Sequence, residues 1–178
     1  MFKHILLPTD GSPLSVAAVE KGIDFAKTIH ARVTGLCVVP KDYGAYYAVE
    51  RAGGFADQAA AECKSNAKIH LAVMTKVAQG AGVVCDVVIE TSDQPYEAIV
   101  NVAEHKGCDL IMMASHGRRG IGALLIGSET QKVLTHSKIP VLVHRMESHG
   151  GRRGQGLLIG RETLHGFAPS KIPVLVYR

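Results

Sequence analysis

Short apolar runs alternate with longer stretches of helical periodicity along most of this chain. Ile5–Leu7 is a fully apolar strand, closed by the turn residues Pro8-Thr9-Asp10-Gly11-Ser12. Ser12-Pro13 then opens a helix in the favoured order, an N-cap hydroxyl before a first-turn proline, and Val16, Val19, Ile23 and Ala26 form its apolar face. Val33–Val39 is a second strand. The Tyr- and Gly-rich stretch 41–54 reads as a loop or an excursion over the surface. A long helix follows, with Ala56, Ala60, Cys63, Ala67, Leu71, Met74 and Ala78 along one stripe. Val83–Ile89 and Leu110–Ala114 are further strands, separated by a helix over Pro95–Lys106. A helix over Gly127–His136 and a strand over Ile139–His144 complete the series.

Strands that are apolar on both faces, each followed by a helix, predict a parallel sheet covered on both sides. Right-handed crossovers make this a doubly wound α/β domain with a five-stranded parallel sheet over residues 1–145. Ligands of such sheets sit beyond the carboxyl ends of the strands, where the strand order reverses. The Pro8–Gly11 turn and the segment Ser115–Ile126 both fall at that rim.

The second of these segments is the more telling. Residues 110–128 read LIMMASHGRRGIGALLIGS: a buried-looking strand, a glycine-rich loop with two arginines, then Gly127-Ser128 opening a helix. Small residues admit a ligand close to the backbone, and a helix start offers unpaired N–H groups and partial positive charge, so this is the layout of an anion site. The chain writes it twice. Ser148-His149-Gly150 repeats Ser115-His116-Gly117, and SKIPVLVYR (170–178) repeats SKIPVLVHR (137–145), at a constant offset of 33 residues. Residues 146–178 are therefore a partial copy of 115–145.

Composition narrows the class. With 47% hydrophobic and 20% charged residues the chain is globular, and with no Trp it lacks stacking platforms for single-stranded nucleic acid. The net charge of +4 is concentrated at the end: residues 1–145 carry +1 and residues 146–178 carry +3. A near-neutral body argues against a nucleic-acid partner. Cys37, Cys63, Cys85 and Cys108 form no C-x-x-C pair and fit a reducing compartment. The opening MFKHILLPTD is too short for a signal peptide, and no run approaches the ~20 apolar residues that cross a bilayer. A cytoplasmic protein with no membrane partner is expected.

The opening KHILLPTDGS, the MMASHGRRG loop, GSETQKVL and the closing IPVLV strand resemble the universal stress protein family over about residues 1–145. Nucleotide-binding members carry the pattern G-2x-G-9x-G-[S/T]. Gly117, nine residues and Gly127-Ser128 match it, and Ala114 takes the place of the first glycine. The resemblance implies a fold of the adenine nucleotide alpha hydrolase type, a homodimer paired through the final strand, and ATP (or ADP or AMP) as cofactor, with Mg²⁺ as its companion ion. It also implies residue roles. Asp10 would bond the ribose hydroxyls, with Pro8 and Thr9 as the adjoining wall. Val38 would meet the adenine edge through its backbone, and Met113 and Ala114 would line the base and ribose. Gly117, Gly127, Ser128 and Thr130 would hold phosphates, with Glu129 beside them. Elementary chemistry agrees: a carboxylate accepts from two hydroxyls, and a helix start suits a phosphate oxygen.

Several of these residues have a second reading. Asp10 before Gly11-Ser12-Pro13 is also a natural turn residue. Arg118 and Arg119 are either solvated loop charges or partners of the outer phosphates. His116 is a nucleotide neighbour or an incidental hydrogen-bonder, and with no partnered carboxylate it is not assigned a catalytic role. The histidines show no metal-ligand spacing, so no metal site is expected. There is no P-loop, no complete G-x-G-x-x-G and no nucleophile elbow.

The reading that follows is an adenine-nucleotide-binding stress-response regulator acting as a homodimer. A slow ATPase, with Arg118 or Arg119 assisting phosphoryl departure, and a nucleotide-free interaction module are the alternatives. In the tail, Arg161 replaces Ser128, Gly166 replaces Val133 and Pro169 replaces His136, which weakens any second site and its helix. The better preserved strand, residues 172–177, is expected to pair with a sheet edge.

Overall fold

A computed structural model describes residues 1–41, 55–115, 126–145 and 156–158. Ten elements follow in order: β1 (His4–Pro8), α1 (Pro13–Ile29), β2 (Arg32–Val39), α2 (Phe55–Ala81), β3 (Cys85–Thr91), α3 (Pro95–His105), β4 (Leu110–Ala114), α4 (Ser128–His136), β5 (Val141–Arg145) and β6 (Gly156–Leu158). The sheet runs β3-β2-β1-β4-β5-β6. Its first five strands are parallel, as the alternating pattern predicts, and β6 adds an antiparallel strand.

Side-chain alternation splits the interior into two cores. Ile5, Leu7, Val33, Cys37, Val39 and Leu142 pack on one face against Ile23 and Ala26 of α1 and Leu71, Met74 and Ala78 of α2. Leu6, Leu36, Ile111, Met113, Val141 and Val143 pack on the other, against Ile99, Val102 and Ala103 of α3 and Val133 of α4. Each buried large side chain contributes roughly 1.5–3 kcal/mol. Close approach of α2 to the sheet depends on Gly35: a Cβ there would overlap the Sδ of Met74.

The first helix starts as its sequence requires. Ser12 Oγ accepts the Ser15 N–H at 3.3 Å, and Pro13 occupies the first turn. It ends at His30, whose left-handed backbone (φ 56°) lets its N–H reach back to Ala26 and Lys27.

Two expectations change. The third strand begins two residues later than its apolar run, because Val83 is held by the end of α2 (Val83 N–H to Ala78 O, 2.9 Å). That strand is also the edge of the sheet, so Val87 and the preceding Val84 are exposed rather than buried. At the other edge the added strand is Gly156–Leu158. The tail strand expected at 172–177, and the loop at 42–54, lie outside the described residues.

Candidate functional site

The strand order places the reversal between β1 and β4, so the crevice beyond their carboxyl ends lies between the β1–α1 turn and the β4–α4 connection. The turn is built by its own hydroxyls and carboxylate. Thr9 is buried, and its N–H bonds the Leu36 carbonyl at 2.8 Å. Its Oγ1 pairs with Ser15 Oγ at 2.9 Å and accepts the Gly11 N–H at 3.1 Å. Asp10 is half-buried, and its Oδ1 accepts the Ser12 N–H at 3.0 Å. The turn reading of Asp10 is thus visible in the geometry. It is compatible with a ligand role, because a carboxylate offers about four acceptor sites.

Gly11 completes the turn with φ +76°, a conformation favoured by glycine. A Cβ at this position would also fall inside the imidazole of His70, from α2. His70 therefore packs over the Asp10-bearing turn. No ligand spacing in the sequence involves it. The available signal was its position: His70 borders the apolar stripe, one residue before Leu71.

Strand β2 outlasts β1. Its pairing with β1 stops at Leu36 opposite Pro8, while Val38 continues the strand beside β3, opposite Glu90. Val38 is half-buried and Pro8, at the end of β1, is buried.

On the β4 side, Met113 and Ala114 are buried, with Met113 packed into the α3–α4 core. The Ala114 carbonyl accepts the Thr130 hydroxyl at 3.1 Å, and the Ser115 carbonyl accepts the Gly127 N–H at 2.8 Å. These two bonds fasten the start of α4 to the end of β4. Gly127 is the N-cap of that helix and has no side chain to turn inward, and Ser128 follows it on the exposed side. Because a hydroxyl has one proton, the Thr130 side chain is committed to β4.

The side chain of Glu129 turns to α3. Its Oε2 accepts the Tyr96 N–H at 3.0 Å and its Oε1 bonds Lys132 Nζ at 2.9 Å. It thus serves the first turn of α3, where Gln94 supplies no side-chain cap. His116, Gly117, Arg118 and Arg119 lie outside the described residues.

The far end of the strands carries a second polar group. His4 is buried, its Nε2 lies 2.7 Å from Thr34 Oγ1, and its Nδ1 has no hydrogen-bond partner among the described residues. Burial, assisted by Arg32, lowers its pKa against the opposing pull of Asp109. Burial likewise pushes the nearby Cys108 thiol up to about 11.

A doubly wound α/β domain whose strand order reverses between β1 and β4 defines the class. Within that class, residues 1–145 match the model of the universal stress protein family, and the chain belongs to that family. It is 31% identical to universal stress protein MJ0531 of Methanocaldococcus jannaschii, over 80% of this chain and 82% of that one. The solved structure of MJ0577, from the same organism, superposes with a TM-score of 0.70 at 30% identity, covering 83% of this chain and 99% of that one. A universal stress protein solved in complex with cAMP shares the fold, with a TM-score of 0.60 at 20% identity over 80% of this chain and 96% of that one. Among the described residues, no helix is long and apolar enough to cross a membrane.

Proposed function

We propose that this chain is a cytoplasmic stress-response protein that binds an adenine nucleotide (ATP, ADP or AMP) between the Pro8–Asp10 turn and the Ala114–Ser128 connection. The observation that carries this is the strand order, which reverses between β1, followed by the Asp10 turn, and β4, followed by the connection to α4, in a chain of this family. The residues present fit such a ligand. A carboxylate such as that of Asp10 offers about four acceptor sites, Val38 and Ala114 offer apolar surface and backbone to a base, and α4 has a glycine, Gly127, as its N-cap. A phosphate role for Thr130 falls to its backbone N–H, and Ser128, which is exposed, would use its hydroxyl as well. That a related fold is in complex with cAMP supports an adenine ligand here.

Mg²⁺ would enter with the phosphates, since among the described residues no group of three or more His, Cys, Asp or Glu could hold a metal. Binding rather than rapid turnover is the role proposed, because the sequence has no P-loop lysine to sit on the β- and γ-phosphates. Association of two copies through the edge of β5 belongs to the same reading.

Mass analysis of small molecules released by denaturing the freshly purified protein tests the ligand. An adenine nucleotide in near-stoichiometric amount is expected. If none is released, and none binds when ATP, ADP and AMP are titrated in by calorimetry, the interaction-module reading replaces this one.

A further inference from the structure

The two edges of the sheet are protected differently. The β3 edge carries the exposed carboxylates Asp86 and Glu90, which discourage pairing with another strand. The last parallel strand, β5, reads Val-Leu-Val-His-Arg and has no acidic residue. One side of β5 is taken by β4, from Ile111 opposite Val141 to Ala114 opposite His144. The other side is taken by the chain's own tail: Leu158 lies opposite Val143, Leu157 opposite His144 and Gly156 opposite Arg145, antiparallel.

We propose that Gly156–Leu158 is an intramolecular cap that competes with a second copy of this chain for the edge of β5. The inference rests on the β5-edge association proposed above and adds what controls it. The cap derives from the 33-residue repeat: Gly156-Leu157-Leu158 copies Ala123-Leu124-Leu125, the end of the glycine-rich segment, and not the copied strand at 170–178. Duplication has thus brought a spare apolar segment to the edge that lacks carboxylates.

The competition is uneven but not one-sided. Residues 146–155 tether the cap to β5, which gives it an effective concentration on the order of millimolar, well above that of free protein in dilute solution. The ladder spans only three residues, so it opens readily. A ladder of this size, with a net worth of a hydrogen bond or so, is closed about ten times as often as it is open. Both copies must open to pair through β5. The capped chain therefore associates about a hundredfold more weakly than the uncapped one.

The test compares the full chain with the full-length variant Gly156→Pro/Leu158→Pro. The His144 carbonyl accepts the Ser115 N–H and so faces β4, which leaves Val143 and Arg145 to face the cap opposite Leu158 and Gly156; the two prolines remove both N–H groups turned toward β5. Sedimentation equilibrium should show a dimer dissociation constant about a hundredfold lower for the variant. Equal dimer constants would overturn the cap and leave the β5 dimer standing. Two monomers up to the highest concentration reached would overturn both. Hydrogen exchange on the unmodified chain checks the cap without mutation. Amides within 143–145 that face away from β4 should stay protected at dilutions where the chain is monomeric, and their rapid exchange there would also overturn the proposal.

Discussion

The carboxylate of Glu129 accepts the backbone N–H of Tyr96 at 3.0 Å, so the first turn of α4 caps the first turn of α3. Lys132 holds the carboxylate from the other side at 2.9 Å and lies 5.1 Å from the centre of the Tyr96 ring. Helix starts leave N–H groups without internal partners, and removing a side-chain cap typically costs ~1 kcal/mol. Glu129→Ala should therefore lower the stability of the fold by about 1 kcal/mol in urea titration. Glu129→Gln keeps an acceptor and should lose less. Equal losses from the two variants would mean that the cap is not what Glu129 contributes.

That relationship marks the limit of the sequence reading. Glu129 sits beside Ser128 in the family motif and so invites a ligand role, while its partner lies 33 residues earlier on another helix. Only tertiary packing brings them together. The strands β1, β2, β4 and β5 were legible because burial on both faces leaves continuous apolar runs. The start of β3 was not, because Val83 is apolar for a different reason, closing the end of α2. The strand Gly156–Leu158 is too short for a periodic signal, whereas the copied strand at 172–177 repeats a full apolar run. The rim itself was readable, since the Pro8–Ser12 turn and the Gly127 helix start both have local chemistry that names them. His70 was not, because its role depends on a glycine elsewhere in the chain.

The Gly11–His70 contact makes a prediction of its own. Gly11→Ala carries two penalties, a left-handed backbone worth roughly 1–2 kcal/mol and an overlap with the imidazole. His70→Ala removes the second and leaves the first. In thermal unfolding of the four members of this cycle, Gly11→Ala should cost less in the His70→Ala background than in the parent. Strict additivity would mean that the turn and α2 do not meet as described.

Stability should also depend on pH through the buried histidines. Burial, first, and Arg32 lower the pKa of His4, and burial, first, and Lys21 lower that of His144. The fold therefore prefers both neutral, whereas the unfolded chain takes up protons near pH ~6.5. Stability is full above that value and falls as the pH drops from it toward the lowered folded-state values. The urea midpoint should decline between pH 7.5 and 5.5, and the decline should be shallower in His4→Gln. An identical slope in that variant would remove His4 from the account.

Asp10 is where turn and ligand roles meet, and two substitutions separate them. Asp10→Ala removes the Oδ1 that accepts the Ser12 N–H, so it loosens the turn as well as any ribose contact. Asp10→Asn keeps a carbonyl oxygen for Ser12 and gives up the charge and half the acceptor capacity. If Asp10 bonds ribose hydroxyls, calorimetry should show adenine-nucleotide binding weakened by about 1–3 kcal/mol in Asp10→Ala, with Asp10→Asn intermediate. Thermal stability should separate the two differently, falling in Asp10→Ala and holding in Asp10→Asn. A nucleotide affinity that follows stability, lost with alanine and intact with asparagine, would assign Asp10 to the turn alone. The ribose would then need another acceptor on the same rim.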